Sequence, residues 1–82
     1  MAKRFHEKYQ QTPKLDLHGL KHGEVSNIVE NFILEKQYDL PALIITGNSI
    51  RMKKIVINVL KEYNFNFSEG DIYNRGYITV LN

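Results

Sequence analysis

The chain has 82 residues, enough for one hydrophobic core and one domain. It is 43% hydrophobic and 24% charged, the balance of an ordinary soluble globular protein. The absence of cysteine excludes disulfides and thiolate metal sites, and a formal net charge of +2 is not that of a strongly basic nucleic-acid binder.

Residues 1–13 are polar, carry Lys3, Arg4 and Lys8, and end in Thr12-Pro13. They read as a flexible basic arm ahead of a domain at 14–82. No apolar stretch follows the basic start, so it is not a signal peptide, and no run approaches the ~20 residues that span a bilayer. A cytoplasmic location is the expectation. Lys14 to Leu17, reaching His18 at most, alternates apolar and polar residues as a strand with one buried face does. Val25, Ile28, Val29, Phe32 and Ile33 then recur at helical spacing, and Glu24 lies near the positive end of that helix. Tyr38-Asp39-Leu40-Pro41 closes it, because the residue before proline avoids helical angles.

Ala42-Leu43-Ile44-Ile45-Thr46 is a continuous apolar run of strand length, the pattern of a strand covered on both faces. Gly47-Asn48-Ser49 supplies a turn, with Asn48 or Ser49 as helix cap. A second helix is predicted from about Ile50 to Tyr63, its core stripe Met52, Ile55, Val56, Val59, Leu60 and Tyr63. Phe65-Asn66-Phe67 alternates as a short strand. Gly70-Asp71 and Asn74-Arg75-Gly76 make turns, and Tyr77-Ile78-Thr79-Val80-Leu81 is the last strand. The order β-α-β-α-β-β predicts an α/β fold, its helix-linked strands parallel and its last pair an antiparallel hairpin.

In open α/β sheets, ligands bind beyond the carboxyl ends of the parallel strands. Two loops leave such ends here. One is His18-Gly19-Leu20-Lys21-His22-Gly23 and the other Thr46-Gly47-Asn48-Ser49. If the first two strands are neighbours, Asp16, His18, Thr46, Gly47, Asn48 and Ser49 fall in one patch. The strand alternation sends Asp16 and His18 out on one face, an acid beside an imidazole. The second loop is also a helix N-terminus, whose free amides favour phosphate. Arg51, Lys53 and Lys54 follow at once, where cations oppose the helix dipole and are best explained by an anionic partner. Lys14, Lys21 and Arg75 extend the rim.

At these residues the sequence resembles the Smr (small MutS-related) domain family. The family's Leu-Asp-x-His-Gly segment is matched by Leu15-Asp16-Leu17-His18-Gly19, and its second loop by Thr46-Gly47-Asn48. Met52-Lys53-Lys54-Ile55-Val56 and Gly76-Tyr77-Ile78-Thr79-Val80 resemble the helix and closing strand, so the similarity covers residues 14–82. Ser49 stands where the family has its second glycine. The resemblance implies a two-layer βαβαββ sandwich, a four-stranded mixed sheet with two helices, similar to the C-terminal domain of translation initiation factor three. It also implies a weak, structure-selective endonuclease hydrolysing phosphodiester bonds in DNA or RNA, with branched or structured nucleic acid as partner. Asp16 and His18 would be the reactive pair. Thr46, Gly47, Asn48, Ser49, Arg51, Lys53, Lys54 and Lys21 would hold phosphate. No cofactor is certain; magnesium on Asp16 is the one the chemistry admits. Two other readings stand beside this one. The first is a non-catalytic nucleic-acid-binding or protein–protein adaptor module. The second is a plain solvated strand face in which His18 bonds a loop carbonyl.

Overall fold

The computed structural model describes residues 12–70 and 74–82. The arm expected over residues 1–13 lies outside them except for Thr12 and Pro13. Six elements follow in order: β1 (Lys14–Asp16), α1 (His22–Lys36), β2 (Ala42–Ile45), α2 (Ile50–Glu62), β3 (Phe67–Glu69) and β4 (Tyr77–Val80). No helix among the described residues is long and apolar enough to cross a membrane.

The four strands form one mixed sheet in the order β1-β2-β4-β3. β1 pairs parallel with β2, while β4 pairs antiparallel with both β2 and β3. So β1, β2 and β3 share a direction, and β4 inserts between the last two. The helix-linked steps from β1 to β2 and from β2 to β3 move the same way across the sheet. Right-handed crossovers then place both helices on the same face. This is the two-layer α/β architecture the element order predicts.

Register sorts the strand side chains between the two faces. Ala42, Ile44, Ile78 and Val80 face the helices and are fully buried. Ile44, Ile78 and Val80 form one core with Val25, Val29 and Ile33 from α1 and Met52, Val56, Val59 and Leu60 from α2. The other members of both stripes, Ile28, Phe32, Ile55 and Tyr63, are half-buried against this core. Leu43, Ile45, Tyr77 and Thr79 lie on the opposite face and are only half-buried. The apolar run at 42–46 is therefore not covered by helices on both sides, as its composition suggested. One face of β2 is core and the other stays open.

The third strand begins two residues later than its alternation predicts, at Phe67 rather than Phe65. The reason is how α2 ends. Asn64 takes a left-handed φ of 62°, its N–H donates to the Lys61 carbonyl at 3.1 Å, and the Phe65 N–H donates to the Leu60 carbonyl at 2.9 Å. That pair of bonds is a Schellman ending, which seats the following apolar residue against the last helical turn. Phe65 is thus a helix stop packed on the core rather than a strand residue.

Tyr63 ties the two helices. Its hydroxyl is hydrogen-bonded to Glu30, and that bond, partial burial and the negative charges of Glu30 and Glu62 hold its pKa above the ordinary 10.0. A raised pKa means that the folded state favours the neutral phenol. This contribution to stability is complete below pH 10 and is lost as pH rises through the folded-state pKa. Denaturant midpoints measured from pH 9 to 11 are expected to fall less steeply for Tyr63→Phe than for the wild type. Identical slopes would show that the Glu30 bond does not matter to stability.

Candidate nucleic-acid interface

β1 ends at Asp16, but the pairing continues one step, with the Leu17 N–H donating to the Ile45 carbonyl at 2.9 Å. Leu17 is fully buried and anchors the exit of the strand. The chain then reverses. The Leu20 N–H donates to the Leu17 carbonyl at 3.1 Å, and Gly19 sits at φ +82° in the third position of the turn. That position in a type II turn demands positive φ, which glycine adopts without steric cost. Asp16 Oδ1 accepts the His18 main-chain N–H at 2.9 Å, a bond that presets the turn.

The geometry alters the reading of the Asp16–His18 couple. The two are not successive outward residues of one strand, because His18 already belongs to the turn. The carboxylate that alternation placed beside the imidazole holds its main chain. Both residues are exposed, with His18 and Gly19 at the tip.

The second loop is fastened from the neighbouring strand. The Thr46 and Gly47 N–H groups both donate to the Gly76 carbonyl at 2.9 Å. Thr46 is only 3% exposed, and its hydroxyl donates to the Gly47 carbonyl at 2.9 Å, with the Gly76 carbonyl at 3.3 Å. Thr46 therefore shapes the loop, its hydroxyl engaged with loop carbonyls rather than turned to solvent. Gly47 turns the chain at φ +66°. Asn48 is exposed, and Ser49 is the cap: its Oγ accepts the Met52 N–H at 3.1 Å.

α2 carries no acidic residue in its first turn. Arg51 and Lys54, three residues apart, share one exposed side of the helix. Lys53 lies on the other flank of the buried stripe and is half-buried, so the three cations do not form one cluster. The one ion pair among the described residues joins Lys36 to Glu35 at 3.7 Å on α1. The cations of α2 thus have no carboxylate partner there.

Because β1 and β2 are parallel neighbours, their two loops leave the same edge of the sheet. That edge gathers Asp16, His18 and exposed Lys21 from one loop and Thr46 to Ser49 from the other. Gly76 brings Asn74 and Arg75 to the same end through its bonds to the second loop. The sequence predicts Asn74-Arg75-Gly76 as a turn and places Arg75 on the rim, but gives Asn74 and Gly76 no part in the site. The Asn74 side chain accepts the Gly76 N–H at 2.8 Å, as asparagine in such turns does. Ile50, 71% exposed beside the cap, had no signal beyond its break from the helical stripe. Among the described residues, no group of three or more His, Asp or Glu side chains is placed to hold a metal ion.

Compared with known proteins, the chain matches no family model and no curated protein.

The cap makes Ser49 testable. Ser49→Ala removes the acceptor of the Met52 N–H and is expected to cost about 1 kcal/mol in denaturant unfolding, whereas Ser49→Gly costs only a few tenths, roughly, since glycine is itself a fair cap. Equal losses for the two variants would mean that the hydroxyl bond contributes nothing.

Proposed function

We propose that the chain is a nucleic-acid-binding domain of the Smr type. It grips the phosphate backbone of structured DNA or RNA and hydrolyses a phosphodiester weakly at His18. One observation carries the reading. The exposed His18 turn leaves the same sheet edge as a helix N-terminus whose nearby cations have no carboxylate partner among the described residues. A helix start with its amides forward, flanked by Arg51 and Lys54, suits phosphate oxygens. Imidazole is the side chain suited to exchanging a proton with an attacking water or a leaving oxygen near neutral pH.

In this reading Asp16 is a positioning residue, since its carboxylate fixes the turn that presents His18. A single carboxylate is too few donors for an all-protein magnesium cage. Any such ion would draw its remaining ligands from water and phosphate, and no step is assigned to it.

A second reading has its own support. The Asp16 carboxylate already accepts a main-chain N–H, which is the arrangement of a turn device in a non-catalytic binding module.

The two separate on substitution. With branched DNA and structured RNA as substrates, tested with and without magnesium, His18→Ala is expected to abolish cleavage and leave binding intact. Asp16→Asn, which keeps the acceptor for the His18 N–H, is expected to retain cleavage better than Asp16→Ala. Wild-type binding without cleavage under any condition would select the binding module.

Binding itself is tested by salt. Arg51→Glu and Lys54→Glu should each weaken affinity and reduce the slope of log K against log salt by about 1. A wild-type slope of zero would end the phosphate-contact proposal.

A further inference from the structure

Opposite the helices, the sheet carries a shallow groove lined by Lys14, Leu43, Ile45, Asn74, Gly76 and Tyr77. Its floor follows from register. Lys14, Leu43 and Thr79 make one row across β1, β2 and β4, and Asp16, Ile45 and Tyr77 make the next. Rows two residues apart are separated by about 7 Å. All of these side chains point away from the buried core, because Ala42, Ile44, Ile78 and Val80 alternate with them on the other face.

We propose that this groove seats unpaired nucleotides. The bases lie against Leu43, Ile45 and Tyr77, and the backbone passes the Lys14 end. The proposal rests on the nucleic-acid reading above and specifies its substrate as a duplex bearing a single-stranded flank.

Three features favour that occupant. The floor is apolar and includes an aromatic ring, which suits the faces of unstacked bases irrespective of sequence. The charge in the lining is cationic, supplied by Lys14, and Arg75 adjoins Asn74 and Gly76. The groove is also continuous with the phosphate-contacting edge. Tyr77 follows Gly76, whose carbonyl holds the second loop, and Asp16 shares the Ile45–Tyr77 row before the chain turns at His18. Asp16 is the anionic end of that row and directs the backbone toward the Lys14 side.

A membrane surface would need more apolar area than two rows provide.

The experiment uses the full chain and two fluorescent RNA hairpins, one blunt and one with a six-nucleotide single-stranded tail. Wild type is expected to bind the tailed hairpin more tightly. Ile45→Thr and Lys14→Glu should lower that affinity about fivefold or more, the scale of one lost base contact. Binding to the blunt hairpin should be unchanged by Ile45→Thr. Wild-type amide shifts on titrating the tailed hairpin should include 43–45 and 77–79, a readout that needs no variant. Equal wild-type affinity for both hairpins, with shifts confined to 18–21 and 46–54, would overturn the groove while leaving the edge reading standing. No binding of either hairpin would overturn both. A free-protein dimer that Ile45→Thr dissociates would also overturn it, assigning the face to a second copy.

Discussion

The carbonyl of Gly76 is the fastening on which the candidate edge depends. It receives the N–H groups of Thr46 and Gly47 together, and the Thr46 hydroxyl lies within reach of it. Two main-chain segments meet there: the loop that leaves β2 toward α2 and the entry to β4. A Cβ on Gly76 would lie 3.1 Å from the Asn74 side chain and 3.5 Å from the Gly47 Cα, so the approach leaves little room for a larger residue. The adjoining connection is tighter still at Gly70, where φ is +48° and a Cβ would overlap the Asn74 carbonyl. The loop carrying the helix start is thus held by the strand inserted beside it as well as by its own chain neighbours.

That insertion marks the boundary of what the sequence made legible. Alternation in Leu15-Asp16-Leu17-His18 and the two helical stripes were sufficient for the element order, and the right-handed rule set the hand of the crossover from β1 to β2, while their adjacency stayed a condition. Nothing local in Tyr77-Ile78-Thr79-Val80 says that it lies between β2 and β3, since strand order is decided by which edges remain to be covered. Phe65 was unreadable for a related reason. A short apolar-polar-apolar triplet fits a strand and a helix stop equally, and the left-handed Asn64 decided between them. The helix cap, in contrast, was legible to within one residue, Asn48 or Ser49, because a short polar side chain before an apolar stripe has a specific use. The candidate site was legible as a location but not in its internal bonds. Spacing placed Asp16 and His18 together, whereas only the turn shows that they are joined through the main chain.

A net charge of +2 suggests little affinity for nucleic acid, but the sum hides how the charge is distributed between the two helices. α1 carries Glu24 in its first turn and Lys36 in its last, the arrangement that the helix dipole favours. α2 has no acid in its first turn and places Arg51 there. The same chain therefore follows the dipole rule on one helix and breaks it on the helix that begins at the candidate site. A local rule broken at one place, with no compensating ion pair among the described residues, is the pattern by which functional positions reveal themselves.

The structural role of Asp16 leaves its side chain with capacity for a second one. Its bond to the His18 N–H uses one carboxylate oxygen, and an ionised carboxylate has acceptor capacity beyond a single bond. The bond also restrains the main chain of the one imidazole at the tip of the turn, and Gly19 at φ +82° lets the chain reverse directly after it. Catalytic groups must be held close to a productive geometry, and a group on a loop reaches that standard only when its backbone is fixed. An asparagine would fix the turn as well as an aspartate does, since either side-chain oxygen accepts the same N–H. The turn alone therefore does not require a negative charge at position 16.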